Sequence, residues 1–297
     1  FCIGNFTIVY LLSGSPNLTT IELAIYQSII FDADLMRAIL LGMTQLIIIM
    51  VISLSLISKN NTFSTFASFK KSYHNIDKPI FIDYFFWIII AYFSIPFIVL
   101  IKGIFSFNLQ SLLTVNFLNS FLNSLLVSII SLTISSILTL SSLNIYRSFL
   151  DNNSSFHKII FISIAILLFV PSLSLSAMIF YFNFQLNFIF KSIWIVSLIN
   201  SFFITPIMFI FLSSKFIENH NSEYRNTLLF NIKSLTRLIK IDLPKIRNEF
   251  LLVSTTVFVL SLGDLTSVTI FNNSSFKTIP LYISQLYSNY RYNDAFF

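Results

Sequence analysis

Long apolar runs, separated by short polar stretches, organise this chain. A helix needs about 20 mostly apolar residues to cross the hydrocarbon of a bilayer. Six runs meet that requirement, at roughly 36–57, 84–105, 118–143, 159–182, 192–214 and 250–271. Residues 1–12 read as the end of a seventh. Pro96, Pro171 and Pro206 lie inside runs, so kinks are expected there. In lipid, neighbouring helices re-satisfy the carbonyls that a proline frees. The predicted fold class is all-α, a polytopic transmembrane helical bundle.

Composition sharpens this. Hydrophobic residues make up 56% of the 297 and charged residues 10%, with 36 Phe and a mean hydropathy of +0.83. Soluble domains carry roughly 25% charged residues, so a pair of soluble domains is excluded and the bilayer is the expected solvent. Net charge is +6, but the cations sit in short loops, which argues for membrane topology and against nucleic acid as a partner. The loops 58–83, 144–158 and 215–249 hold 13 of the 18 Lys and Arg. The positive-inside rule therefore places these loops in the cytoplasm and predicts a multi-pass membrane protein. The single cysteine, Cys2, excludes an intrachain disulfide. The chain opens at Phe1 within an apolar stretch and closes at Phe297 in a polar one, so an internal piece of a longer protein is expected.

Two stretches repeat. Thr20-Ile21-Glu22-Leu23, with Ile25 and Gln27, matches Thr278-Ile279-Pro280-Leu281, with Ile283 and Gln285, at an offset of 258. Gly4-Asn5-Phe6-Thr7 matches Gly263-Asp264-Leu265-Thr266 at an offset of 259, using two of only five glycines. The expected organisation is a duplication. Residues 1–57 end a first half with its last two spans, 58–83 link the halves, and 84–297 form a second half lacking its final span.

The most polar region is 215–249. Its spacing predicts a helix from Glu223 to Leu243, with Leu228, Ile232, Leu235 and Ile239 in one apolar stripe. Arg225, Lys233, Arg237 and Lys240 lie on other faces, and Pro244 is expected to stop the helix. Two readings stay open: a basic helix lying on anionic headgroups, or a docking helix for a cytoplasmic protein.

Ile241-Asp242-Leu243-Pro244 resembles the I-x-L-P end of the cytoplasmic loop of ABC importer permeases. The family's Gly falls on Asn231 and its Glu-Ala-Ala on Arg225-Asn226-Thr227, so this chain departs from the pattern there. Thr19-Thr20-Ile21-Glu22-Leu23-Ala24-Ile25-Tyr26-Gln27, Ser261-Leu262-Gly263-Asp264-Leu265, Thr278-Ile279-Pro280-Leu281-Tyr282 and Tyr290-Arg291 resemble the thiamine/thiamine pyrophosphate ABC transporter permeases. That resemblance implies the type I ABC importer permease architecture in a fused, two-half chain, multi-pass in the bacterial cell inner membrane. It implies thiamine or its phosphate esters as substrate, a dimeric cytoplasmic ABC ATPase and a periplasmic substrate-binding protein as partners, and coupling through Glu223, Arg225, Leu228, Asn231, Ile232, Leu235, Ile239, Ile241, Leu243 and Pro244. Related fused permeases for ferric iron share the architecture and supply the alternative substrate.

Catalytic chemistry finds no footing in the pattern. His74, His157 and His220 lack metal-ligand spacing and read as ordinary loop residues. No phosphate-binding G-x-x-x-x-G-K-[ST] loop occurs, so ATP hydrolysis is assigned to another subunit. No cofactor, metal or enzymatic activity is expected. Asp264 lies inside an apolar run, where an ionisable side chain is costly. Asp264 and its counterpart Asn5 either face a translocation path or make a structural hydrogen bond near the outer interface, and the hydrogen bond is the preferred reading.

Overall fold

The computed structural model describes residues 6–12, 20–59, 80–105, 115–151, 156–185, 191–229, 234–272 and 276–295. Among these residues the chain is all-α, with no strand. The N-terminal helices are α1 (Phe6–Leu12), α2 (Ile21–Ile30), α3 (Leu35–Lys59) and α4 (Ile80–Phe105). The middle of the chain forms α5 (Val115–Asp151), α6 (Phe156–Leu167), α7 (Ser172–Gln185) and α8 (Ser192–Leu229). A short segment follows, built from α9 (Ser234–Arg237), a π-helical turn (Leu238–Asp242) and α10 (Leu243–Lys245). The chain then continues through α11 (Arg247–Leu262), α12 (Thr266–Ile270), α13 (Ile279–Ser288) and α14 (Tyr292–Ala295).

All six expected runs are helical, but four differ from the pattern. The run 118–143 lengthens into α5, which reaches Asp151 through half of the expected loop 144–158. The run 159–182 is two helices, α6 and α7, meeting at 86°. More than a kink forms at Pro171, because residues 168–170 tighten into a turn in which Leu168, Phe169 and Val170 donate to carbonyls three residues back. Pro171 itself has no N–H to continue the helix. The run 250–271 also breaks, at Gly263–Leu265, between α11 and α12. The run 192–214 is longer than its hydropathy suggests, since α8 extends to Leu229 through the polar stretch and continues across Pro206. Among the described residues, α3, α5, α8 and the α11–α12 stretch are long and apolar enough to cross a membrane, and α6 with α7 makes a fifth, bent span. This is a multi-pass membrane protein.

Two apolar cores lie along the bundle. One gathers Phe6, Leu23, Ile25, Val127, Leu173, Ile195, Ile199 and Val268 from six helices, with Leu265 from the break between α11 and α12. The other gathers Leu143, Tyr146, Ile204, Met208, Phe209, Leu212, Phe216, Ile246 and Val257. Helix α8 passes through both and packs most extensively against α5. The contact face of α5 is polar and small. Ser120, Ser124, Ser128, Ser131, Ser135 and Thr139 are all buried, at steps of four, four, three, four and four. Small residues let transmembrane backbones approach closely. Most of these hydroxyls donate to a carbonyl three or four residues back in their own helix, so their burial leaves few orphaned donors.

Helices α2 and α13 each have ten residues and stand at an offset of 258. Each follows a threonine in extended backbone, Thr20 and Thr278, and each is followed within three residues by a positive φ, 51° at Ala33 and 59° at Tyr290. In α2, the Thr20 hydroxyl accepts from the Leu23 N–H at 3.3 Å, which caps the helix.

Candidate functional site: a segment anchored at the basic end of the bundle

Helices α5 and α8 have 37 and 38 residues. At 1.5 Å per residue each is about 55 Å long, against roughly 30 Å of hydrocarbon. Their ends therefore reach well past the apolar layer or tilt strongly within it. The segment Ser234–Lys245 packs where they end.

Arg147, near the end of α5, is among the largest fully buried side chains. Its Nη1 donates to Asp242 in a direct ion pair, with both side chains 2% exposed. Its Nη2 reaches the Ser234 carbonyl at 3.0 Å, Ser234 Oγ at 2.9 Å and Asn144 Oδ1. Ser234 Oγ donates to Asn144 Oδ1 at 2.7 Å, closing the ring of contacts. The guanidinium lies 5.6 Å from the Phe216 ring of α8, within cation–π range. Arg237 adds a second tie: its Nε stands 3.8 Å from Asp242 Oδ1 and its Nη2 donates to His220 Nδ1 of α8 at 3.1 Å. Burial pushes the Asp242 carboxyl above the usual carboxylate range, against the pull of Arg147 and Arg237. The desolvation of such a pair consumes much of its Coulomb attraction. The pair therefore fixes position more than it adds stability.

The local backbone explains which face points inward. In an ordinary helix the ring of Pro244 would meet the carbonyl four residues back. Here the helix widens to a π turn just before it, with the Leu243 N–H donating to the Leu238 carbonyl. Pro244 therefore sits in the first turn of α10 and does not stop the helix, which corrects the expectation. The chain turns instead at the buried Ile246 (φ −96°, ψ 12°). Arg237, Leu238 and Asp242 face inward. Leu235 and Ile239 face outward, 67% and 63% exposed.

The expected continuous helix from Glu223 to Leu243 is thus divided. Glu223, Arg225 and Leu228 lie on the last turns of α8, and Asn231 and Ile232 lie outside the described residues. Leu235 and Ile239 do share an outer face; Ile241 and Leu243 are half-buried beside it and Pro244 is exposed. Arg147 stood in the pattern as a loop cation and Asp242 as the variable position of the I-x-L-P match, and neither was given a role. His220 is neither in a loop nor exposed, but buried in α8. Among the described residues no group of His, Cys, Asp and Glu has metal-holding geometry.

Asp264 caps the break between α11 and α12. Its Oδ1 accepts from the Thr266 N–H at 3.1 Å and the Thr266 hydroxyl at 2.5 Å, and its Oδ2 accepts from Ser267. The chain of contacts continues from Ser267 to Asn200 at 2.9 Å, from Asn200 to Ser261 at 3.4 Å, and from Ser261 to Ser131 at 2.6 Å. This polar belt lies between the two apolar cores. Asn5 lies outside the described residues.

An all-α, multi-pass bundle with a polar-anchored segment at its basic end is consistent with the architecture of a membrane permease. The resemblance read from the sequence holds along the whole chain. The thiamine transport system permease protein ThiP of Haemophilus influenzae is 27% identical over 309 aligned residues, covering 99% of this chain and 56% of the relative. ThiP of Brucella abortus and of Brucella suis are each 25% identical over 302 residues, covering 99% of this chain and 55% of the relative. The chain spans about half the length of the curated relatives it matches. No family model matches the chain. No solved structure matches it.

Proposed function

We propose that the chain forms the larger part of one permease half, with the end of a preceding half, in a fused permease subunit of a bacterial ABC importer. It carries thiamine or a phosphate ester of it across the inner membrane and catalyses no reaction itself. A separate ATPase dimer docks at the basic, cytoplasmic end, and a periplasmic binding protein delivers substrate to the outer loops. The observation that carries this reading is the similarity to thiamine permeases along 99% of the chain. The equal helices α2 and α13, 258 residues apart, support a duplication, and the proposed division is 1–57, 58–83 and 84–297.

The outward apolar pair Leu235 and Ile239, flanked by the exposed Lys240 and Lys245, supports the docking role. Helix-in-groove recognition uses anchors of this spacing. Asp264 acts in this reading as a structural cap. The test is uptake of labelled thiamine by proteoliposomes that hold the full-length permease, its ATPase and its binding protein. ATP-dependent accumulation of thiamine is expected; transport of ferric iron with no response to thiamine would move the chain to the iron permeases.

A further inference from the structure

The segment Ser234–Lys245 has two faces with different chemistry. Its outward face carries Leu235, Ile239 and Lys240, while its inward face carries Arg237, Leu238 and Asp242. The inward face is tied to two helices remote in sequence. Arg147 of α5 lies 95 residues before Asp242 and grips both ends of the segment, at Ser234 and Asp242. His220 of α8 holds Arg237 between those ends. On its C-terminal side the segment meets α11 at Ile246, where the helix bends. A load placed on the segment therefore reaches α11 through a bend in the backbone, and reaches α5 and α8 through side chains.

We propose that Arg147 and Asp242 are positioning residues for transport: their ion pair makes the docking segment move as one body with α5 and α8, so that motion of the ATPase is delivered to the spans. The proposal rests on the docking reading above. It assigns the pair a role in coupling, separate from binding the ATPase, because neither side chain reaches the outward face. A fork-shaped guanidinium suits this, since it holds Asp242, Ser234 and Asn144 at fixed angles, which a lysine ammonium does not.

Single loss of one partner would strand a buried charge, so the main variant removes both: Arg147→Met with Asp242→Leu, in the full-length permease reconstituted with its ATPase and binding protein. Three quantities are read: inserted permease, ATPase co-purified, and labelled thiamine moved per ATP hydrolysed. Insertion and ATPase binding should stay within twofold of wild type, while thiamine moved per ATP falls at least tenfold. A second variant, Arg147→Cys with Asp242→Cys, should be equally uncoupled and should regain coupling when a short bis-maleimide tethers the two thiols. Arg147→Lys should keep the charge and recover only part of the ratio.

A normal ratio in the assembled double variant would overturn the proposal, as would a tether that restores nothing. Failure of the double variant to insert would also overturn it, by assigning the pair to folding alone. These outcomes are separate from failure of the docking reading, in which changes on the outward face would leave ATPase binding intact.

Discussion

Placing an aspartate at position 235 tests the outward face directly. The Leu235 side chain is 67% exposed in the unbound chain, and Ile239 is 63% exposed. Full burial of a Leu or Ile side chain is worth roughly 1.5–3 kcal/mol. About two-thirds of that remains to be gained when a partner covers either residue, or roughly 1–2 kcal/mol each. Since each 1.4 kcal/mol is a factor of ten, Leu235→Asp should weaken ATPase binding by about 5- to 30-fold. Ile239→Asp should do the same; the two are neighbours on one face, so their effects need not add. Leu238→Asp is the contrasting control, because Leu238 is buried. It should reduce the amount of folded protein, not the affinity of what remains. The assay is titration of the ATPase onto the purified full-length permease in detergent at fixed ionic strength, because Lys240 and Lys245 add a salt-dependent attraction. Wild-type affinity in Leu235→Asp protein that remains fully inserted would refute the docking face. If the same variant instead lost affinity only for anionic vesicles, the segment would be an interfacial helix.

Topology gives a further prediction. Cysteines placed at the exposed Phe31 and Tyr290 should react with an impermeant maleimide in intact cells, and a cysteine at Ile239 only after permeabilisation; the reverse pattern would sink the assigned orientation. Packing gives another. A Cβ added at Gly42 of α3 would stand 3.4 Å from Ser174 Cβ of α7, an ordinary contact, so Gly42→Ala should keep the thermal midpoint within a few degrees. Gly42→Leu should overfill the α3–α7 contact and cost about 1–3 kcal/mol, and an unchanged midpoint for the leucine variant would show that the two helices are not packed there.

The spans were legible because lipid offers the backbone no partner: a crossing segment must be helical and apolar. Their ends were less so. Nothing in hydropathy predicts that α8 continues for fifteen residues past Ser214, yet residues 207–229 contain neither Gly nor Pro to stop it. At Pro171 the pattern gave the place of a kink but not its size, since the 86° break depends on how residues 168–170 close their turn. In the segment Ser234–Lys245 the shared outward face of Leu235 and Ile239 was legible, and the mooring of its inward face was not. Asp242 and Arg147 are 95 residues apart, and each alone reads as a loop charge. Two signals were nonetheless present. Asp242 is the only acid between Glu223 and Glu249, among six cations, and Arg147 is the first charge after Lys102. A solitary charge in either setting invites the question of its partner.

The inner face of α5 was hidden for a more general reason. In water, hydrophobicity separates inside from outside, so the apolar stripe of a helix marks its core face. In a bilayer the surrounding solvent is as apolar as leucine, and that distinction vanishes. Between 120 and 139 of α5 the order is largely inverted: Leu122, Leu126, Ile129 and Ile137 are exposed, while Ser120, Ser124, Ser128, Ser131 and Ser135 are buried, with Val127 the one buried aliphatic among them. Hydrophobicity alone therefore does not say which side of such a helix meets its neighbours. Small polar residues at helical spacing do, because a buried hydroxyl permits close approach and can bond across the interface, as Ser131 does with Ser261. The serine spacing in 120–139 therefore marked the α5–α8 and α5–α11 contacts in the bare sequence, for a reader who took the polar residues, not the apolar ones, as the record of packing.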